Sequence, residues 1–173
     1  MDIVAYTMKY EGKSVCSELM PIPFDEKHYN AYKEIYNDCF YKMCKALNLQ
    51  PYNACASVEQ LIAKKDNVFL LIVDGEVIGS VAIYGNEIDD LVVARKFQNQ
   101  RCGKQLLKFA IALLQTRKAD VITLASLNGT KKLFHYIKIT ASLFQKLKRL
   151  SYKINMLGRH LSVFTSTASF ANS

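Results

Sequence analysis

Between Val68 and Val93 the chain spells out three consecutive strands joined by very short turns, and this run narrows the folds open to it. Val68 to Val73 is wholly apolar, Asp74-Gly75 follows, and Glu76 to Tyr84 is a second stretch rich in Val, Ile and Ala. Asp-Gly between two such runs is the composition of a tight turn with both central φ angles positive, so a hairpin is predicted here. Gly85-Asn86 makes the next turn, and Glu87 to Val93 reads as the third strand.

The third strand leads straight into a helix. From Asp90 to Leu107 the chain reads strand, short turn and helix, with Gln98-Asn99-Gln100-Arg101-Cys102-Gly103-Lys104 at the junction. Leu106, Leu107, Ala110, Ile111 and Leu114 recur at helical spacing and share one face. A helix start has N–H groups without intrahelical partners and the positive end of the helix dipole, so the junction is a ready cradle for a phosphate.

Around this centre the remaining elements are plain. Ile3 to Tyr6 can form a first strand, and Pro21-Ile22-Pro23 breaks the chain. A helix is predicted from about Phe24 to Asn48, with Asp25 and Glu26 at its positive end and Tyr29, Tyr32, Ile35, Tyr36, Cys39, Phe40, Met43 and Leu47 along one stripe. That aromatic stripe reads as core. Ser57 with Gln60 can cap a short helix, and Val121 to Leu124 is a short buried strand.

Charge is unevenly placed. Residues 1–124 carry 15 basic and 15 acidic side chains, whereas residues 125–173 carry eight basic side chains and no acid. The whole formal charge of +8 therefore lies in the last 49 residues. Five scattered cysteines (Cys16, Cys39, Cys44, Cys55 and Cys102) without a C-x-x-C pair read as reduced thiols, not as a disulfide framework or zinc site, so no metal is expected. No membrane-length apolar run and no secretory pattern at Met1-Asp2-Ile3-Val4 points to a cytoplasmic protein.

The segment from Asp90 to Leu107 resembles motif A of the GCN5-related N-acetyltransferases (GNAT), Gln/Arg-x-x-Gly-x-Gly/Ala, which grips the pyrophosphate of acetyl-coenzyme A. Gln98 and Gly103 fit that pattern, and Arg101 stands where its first glycine belongs. The resemblance covers about residues 1–124. It implies an α+β fold, an α/β/α sandwich around a mixed, mostly antiparallel sheet. It also implies acetyl-coenzyme A as cofactor, held by Gln98, Asn99, Gln100, Arg101, Cys102, Gly103 and Lys104, with backbone groups of Leu91 and Val93 meeting the pantetheine. The acceptor would be a small-molecule or peptide amine. A carboxylate must take a proton from that amine, and the family often places it where Glu87 lies. Asp89 and Asp90 are the alternatives; strand alternation puts Glu87 and Asp89 on one face and Asp90 on the other.

After the fifth strand the family's motif B, with its Gly-Phe, is missing. Back-translation of residues 126–153 in a shifted frame, with AT-rich codons, gives N-K-K-A-V-S-L-Y-K-N-N-G-F at motif B spacing, so the coding frame is expected to have shifted near Ala125. Two domains follow from this: a GNAT-like core at 1–124 and an atypical basic tail at 125–173. Leu133, Tyr136, Ile137, Ile139, Leu143, Phe144, Leu147 and Leu150 suggest that the tail is helical. Such a tail predicts an exposed edge on the fifth strand and self-association, hence a possible homodimer. Two further readings stay open: a catalytically impaired coenzyme A-binding remnant, or a nucleic-acid-binding protein acting through the tail. The latter is less expected, because the tail holds no recognition motif.

Overall fold

The computed structural model describes residues 3–46, 50–52, 55–127 and 144–152. Among these residues seven strands form one mixed sheet: β1 Ile3–Tyr10, β2 Ile22–Pro23, β3 Val68–Val73, β4 Glu76–Tyr84, β5 Glu87–Val93, β6 Ile122–Leu127 and β7 Phe144–Tyr152. The helices are α1 Tyr29–Ala46, α2 Val58–Ile62 and α3 Cys102–Thr116. The strand order is β2-β3-β4-β5-β6-β1-β7. Every pairing is antiparallel except that of β5 with β6.

The predicted hairpin is present with the predicted turn. Asp74 and Gly75 take φ of 50° and 80°, and Val73 pairs with Glu76. Glycine matters again at Gly79, where an added Cβ would lie 2.8 Å from the Val92 carbonyl oxygen and 3.1 Å from a Leu106 methyl. Only a residue without a side chain lets β4, β5 and α3 approach this closely.

Each face of the sheet has its own core. On one, Leu106, Leu107, Ala110, Ile111 and Leu114 of α3 meet Val81, Ile83, Ile88 and Val93, which fulfils the predicted helical stripe. On the other, Phe24, Tyr32 and Leu61 meet Val68, Leu70, Val77 and Ala82. The Phe24 and Tyr32 rings are 5.7 Å apart, edge to face. The first helix starts later than predicted: a 3-10 turn at Glu26–His28, capped by Asp25, precedes α1. Ser57 and Gln60 form the reciprocal cap of α2.

Three expectations are corrected. Ile22–Pro23, read as a break, forms a short edge strand on β3, a site that suits proline because an edge leaves N–H groups unused. The edge of the fifth strand in the predicted order, here β6, is covered: β1 pairs along it from Ala5↔Leu127 to Tyr10↔Ile122. Residues 11–21 allow this crossing. They run past the end of α3, where Gln115 accepts from the Val15 N–H at 2.9 Å and Val15 and Leu19 pack on the α3-side core. Finally, the helix read through Phe144, Leu147 and Leu150 is replaced there by β7, paired with β1 from Ile3↔Tyr152 to Tyr10↔Phe144. Spacings of three suit a helix in isolation, but the free hydrogen-bonding edge of β1 decides the outcome. Leu133, Tyr136, Ile137, Ile139 and Leu143 lie outside the described residues.

Candidate active site

The site grows from the place where β5 leaves β6. The two strands pair in parallel only at Glu87↔Thr123 and Ile88↔Leu124. Beyond Ile88 the far side of β5 has no strand neighbour among the described residues. The divergence coincides with a bulge. Ala82 pairs with Asp89 and Ser80 with Val92, so Asp90 and Leu91 together oppose Val81. Asp90 takes φ 45° to make this extra residue fit.

That bulge overturns the strand alternation predicted for the carboxylates. Asp90 is turned to the α1 side, where its Oδ1 accepts a hydrogen bond from the Tyr36 hydroxyl at 3.0 Å. Asp89 Oδ1 accepts from the Asp90 N–H at 2.8 Å, a local bond that holds the bulge. Tyr36 packs on the α1-side core with Tyr84. The aromatic stripe is thus partly core and partly site: Tyr32 is buried, whereas Tyr36 reaches a carboxylate.

Electrostatics follow from this crowding. Burial, and then the Asp89 charge, push Asp90 up to about 7, against smaller opposing effects of Tyr36 and Lys64. Burial raises Asp89, and Glu87 is raised by burial and then by Asp89. The two aspartates titrate as a pair. Burial and the nearby carboxylates push Tyr36 and Tyr84 up, so both hydroxyls stay protonated at neutral pH. A group poised near neutrality can take and give a proton, so this cluster suits general base chemistry.

The cradle lies at the other end of β5. A 3-10 turn at Arg95–Phe97 and a turn at 98–101 lead to α3, whose first residue is Cys102. Asn99 and Arg101 take φ of 65° and 67°. Arg101 is the N-cap and makes no side-chain capping bond, so the amides of Cys102, Gly103 and Lys104 face the helix start as a set of donors. Gln98 works inside the turn: its Nε2 donates to the Val93 carbonyl at 2.9 Å and its N–H to Arg95 O at 3.2 Å. Gln100 Nε2 donates to Lys96 O at 2.9 Å. Both glutamine side chains therefore brace the turn. The Val93 carbonyl also accepts from the Cys39 thiol at 3.4 Å.

Sequence reasoning missed three contributors. Arg95 pairs through Nε with Asp38 Oδ2 and through a second nitrogen with Asp38 O, fastening α1 over the end of β5. Tyr36 was read as stripe, since nothing local says which of its tyrosines meets a carboxylate. Ser80 is 1% exposed, and its hydroxyl finds no partner among the described residues. His28 lies in the 3-10 turn before α1, remote in role from this cluster, and His135 lies outside the described residues.

The fold is shared with known acetyltransferases. A GNAT-family protein of Novosphingobium aromaticivorans superposes with a TM-score of 0.60 at 14% identity, over 87% of this chain and 63% of that one. A GCN5-related N-acetyltransferase of Rhodopseudomonas palustris gives 0.56 at 16% identity, over 73% and 84%. The PaiA N-acetyltransferase of Thermoplasma acidophilum, solved with coenzyme A, gives 0.59 at 14%, over 77% and 98%. The chain thus spans about 63% of the length of the first of these. No curated protein matches it by sequence. Residues 29–135 match the family model described as Acetyltransferase (GNAT) family, a span holding both the carboxylate bulge and the cradle, and the chain belongs to that family.

Proposed function

We propose that the chain transfers an acetyl group from acetyl-coenzyme A to the nitrogen of an amine. The observation that carries this reading is the opening of the sheet after Ile88↔Leu124, with half-buried carboxylates at the bulge and a helix start at the other end of the same strand. The donor set suits a pyrophosphate: consecutive amides of Cys102, Gly103 and Lys104, with Arg101 and Lys104 adding positive charge. Leu91 offers backbone groups on the open side of β5 for amide-containing chains. When bound, acetyl-coenzyme A supplies an activated acyl thioester.

The protein's residues would do the rest. An amine enters from the α1 side as an ammonium and gives one proton to the Asp89–Asp90 pair or to Glu87, directly or through water. The freed nitrogen lone pair forms the new N–C bond while the C–S bond breaks, and the departing sulfur takes up a proton. Five unpaired thiols fit work in a reducing compartment such as the cytoplasm. A second reading, a coenzyme A-binding remnant with impaired catalysis, draws on Arg101, whose long side chain and left-handed backbone occupy the cradle's N-cap.

Calorimetry of the full chain with acetyl-coenzyme A, paired with a thiol-release assay on a panel of primary amines, tests both. Binding with amine-dependent release supports transfer, and binding without release under every amine supports the remnant. Absence of binding overturns both. A DNA titration at two salt concentrations completes the comparison: tight, steeply salt-dependent binding there would favour a role for the basic tail instead.

A further inference from the structure

The carboxylates at the bulge are more numerous than one proton transfer requires. Glu87, Asp89 and Asp90 lie within four residues of β5, and all three act on the α1 side of the sheet. Among the described residues none of them forms an ion pair with Lys or Arg. Among the described residues the cation acting on Asp90 is Lys64, whose ammonium lies 5.5 Å from the centre of the Tyr84 ring. Burial holds these carboxyls toward their protonated forms, and an arriving ammonium would favour the charged forms instead.

A metal ion is a poor candidate for that cation. Among the described residues no three His, Cys, Asp or Glu side chains converge closely enough to hold one. The carboxylates are spread along the strand instead. Glu87 and Asp89 stand two steps apart along the strand, with Ile88 between them, a spacing of about 6.6 Å. Nitrogens joined by four methylenes are set about as far apart when extended. The Tyr36 and Tyr84 rings, at the edge of the α1-side core, supply an aromatic wall for methylenes and for cation–π contact.

Ser80 provides an independent sign that the region expects a polar visitor. The bulge falls between Ser80 and Ala82 on β4. Gly79 faces α3 and Ala82 faces the α1-side core, so alternation puts Ser80 on the α1 side, flanking the bulge. Its hydroxyl is buried with no partner among the described residues. An unpaired buried hydroxyl is costly and rare in a finished site.

We infer that the acceptor is a linear diamine or polyamine, one nitrogen seated at the Asp89–Asp90 bulge with Ser80 beside it and another at Glu87. This inference rests on the reading of the site as amine-acetylating. One nitrogen stays an ammonium and fixes the molecule, while the other loses its proton and is acetylated as described above. A lysine side chain on a peptide carries a single ammonium and meets half of this arrangement.

The probes are 1,4-diaminobutane, n-butylamine and Nα-acetyl-lysine amide, titrated calorimetrically into the full chain without acetyl-coenzyme A. The diamine should bind at least tenfold more tightly than either monocation. Glu87→Gln and Asp90→Asn should each cut that ratio severalfold, and Ser80→Ala should weaken diamine binding, with thermal melts verifying that each variant is folded. Equal affinity for all three probes overturns the inference, as does a ratio that survives in folded Glu87→Gln and Asp90→Asn. Acetylation assays separate its fate from that of the proposed activity. Selective diamine binding without acetylation of any amine sinks the activity and leaves the recognition standing. Equal kcat/KM for diamine and monoamines does the reverse.

Discussion

Replacing Arg101 by glycine tests the cradle with two independent readouts. Arg101 sits at φ 67°, ψ 0°, a left-handed conformation that costs an L-residue about 1–2 kcal/mol. Glycine removes that cost but gives the unfolded chain more freedom, which opposes it by about 0.4–1 kcal/mol. Arg101 makes no side-chain capping bond that the change would sacrifice. The net expectation is a gain of about 0.5–1 kcal/mol, or a rise in Tm of about 1–4 °C for a chain of this size. The same change removes a Cβ and a long side chain from the helix start, letting backbone amides approach a pyrophosphate, so coenzyme A should bind several-fold more tightly. Differential scanning calorimetry measures the first effect and isothermal titration the second. An unchanged or lower Tm would refute the backbone argument. A higher Tm with weaker coenzyme A binding would show that the Arg101 charge itself grips the phosphate, and the steric reading of this position would fail.

Three further outcomes follow from the site and its frame. Because Asp90 is raised from the ordinary carboxylate range to about 7, the folded protein holds its proton more tightly than the unfolded chain does. Stability should therefore be lost as pH rises from about 4 to about 7, and Asp90→Asn should reduce that loss, the shares of Asp89 and Glu87 remaining; three pH units bound the Asp90 share at roughly 4 kcal/mol. Urea melts of both proteins from pH 4 to 8 measure it, and parallel pH curves would refute the buried-charge account. Glu87→Gln should lower acetyl transfer tenfold or more at unchanged acetyl-coenzyme A affinity, and an unchanged rate at saturating acceptor would assign the base to the aspartate pair. Gly79→Ala sets a methyl 2.8 Å from the Val92 carbonyl oxygen, so a loss of about 1–3 kcal/mol is expected in denaturant melts. A neutral result would mean that β4 and β5 separate without cost.

Much of this architecture is written locally. The Asp74-Gly75 turn, the Ser57–Gln60 cap and the Leu106 to Leu114 stripe each declare themselves within a few residues, because turn chemistry, capping and helical periodicity are short-range effects. The junction from β5 to α3 was legible for the same reason: strand, turn and helix start are contiguous. The bulge was not. Glu87-Ile88-Asp89-Asp90 reads as ordinary alternation, and the extra residue is visible only when β4 supplies the partners Ser80 and Ala82. Nor does any local signal tell Tyr36 from its neighbours in the stripe, since its hydroxyl finds Asp90 only after α1 lies across the sheet. The strand β7 was misread as helix because Leu147 and Leu150 fit either period, and the edge that selects the strand comes from residues 3–10.

The seat of β1 between β6 and β7 also dictates an order of assembly. Ile3 pairs with Tyr152 and Ala5 with Leu127, so the earliest residues of the described chain find both neighbours among the latest. The meander of β3, β4 and β5 can close through short loops as soon as it is made, whereas β1 must wait for well over a hundred residues to follow it. Closing so long a loop is slow and postpones its reward. During synthesis β1 is an unpaired strand in search of an edge. Among the described residues β1 pairs only with β6 and β7, so this half of the sheet can close only after those later strands are made.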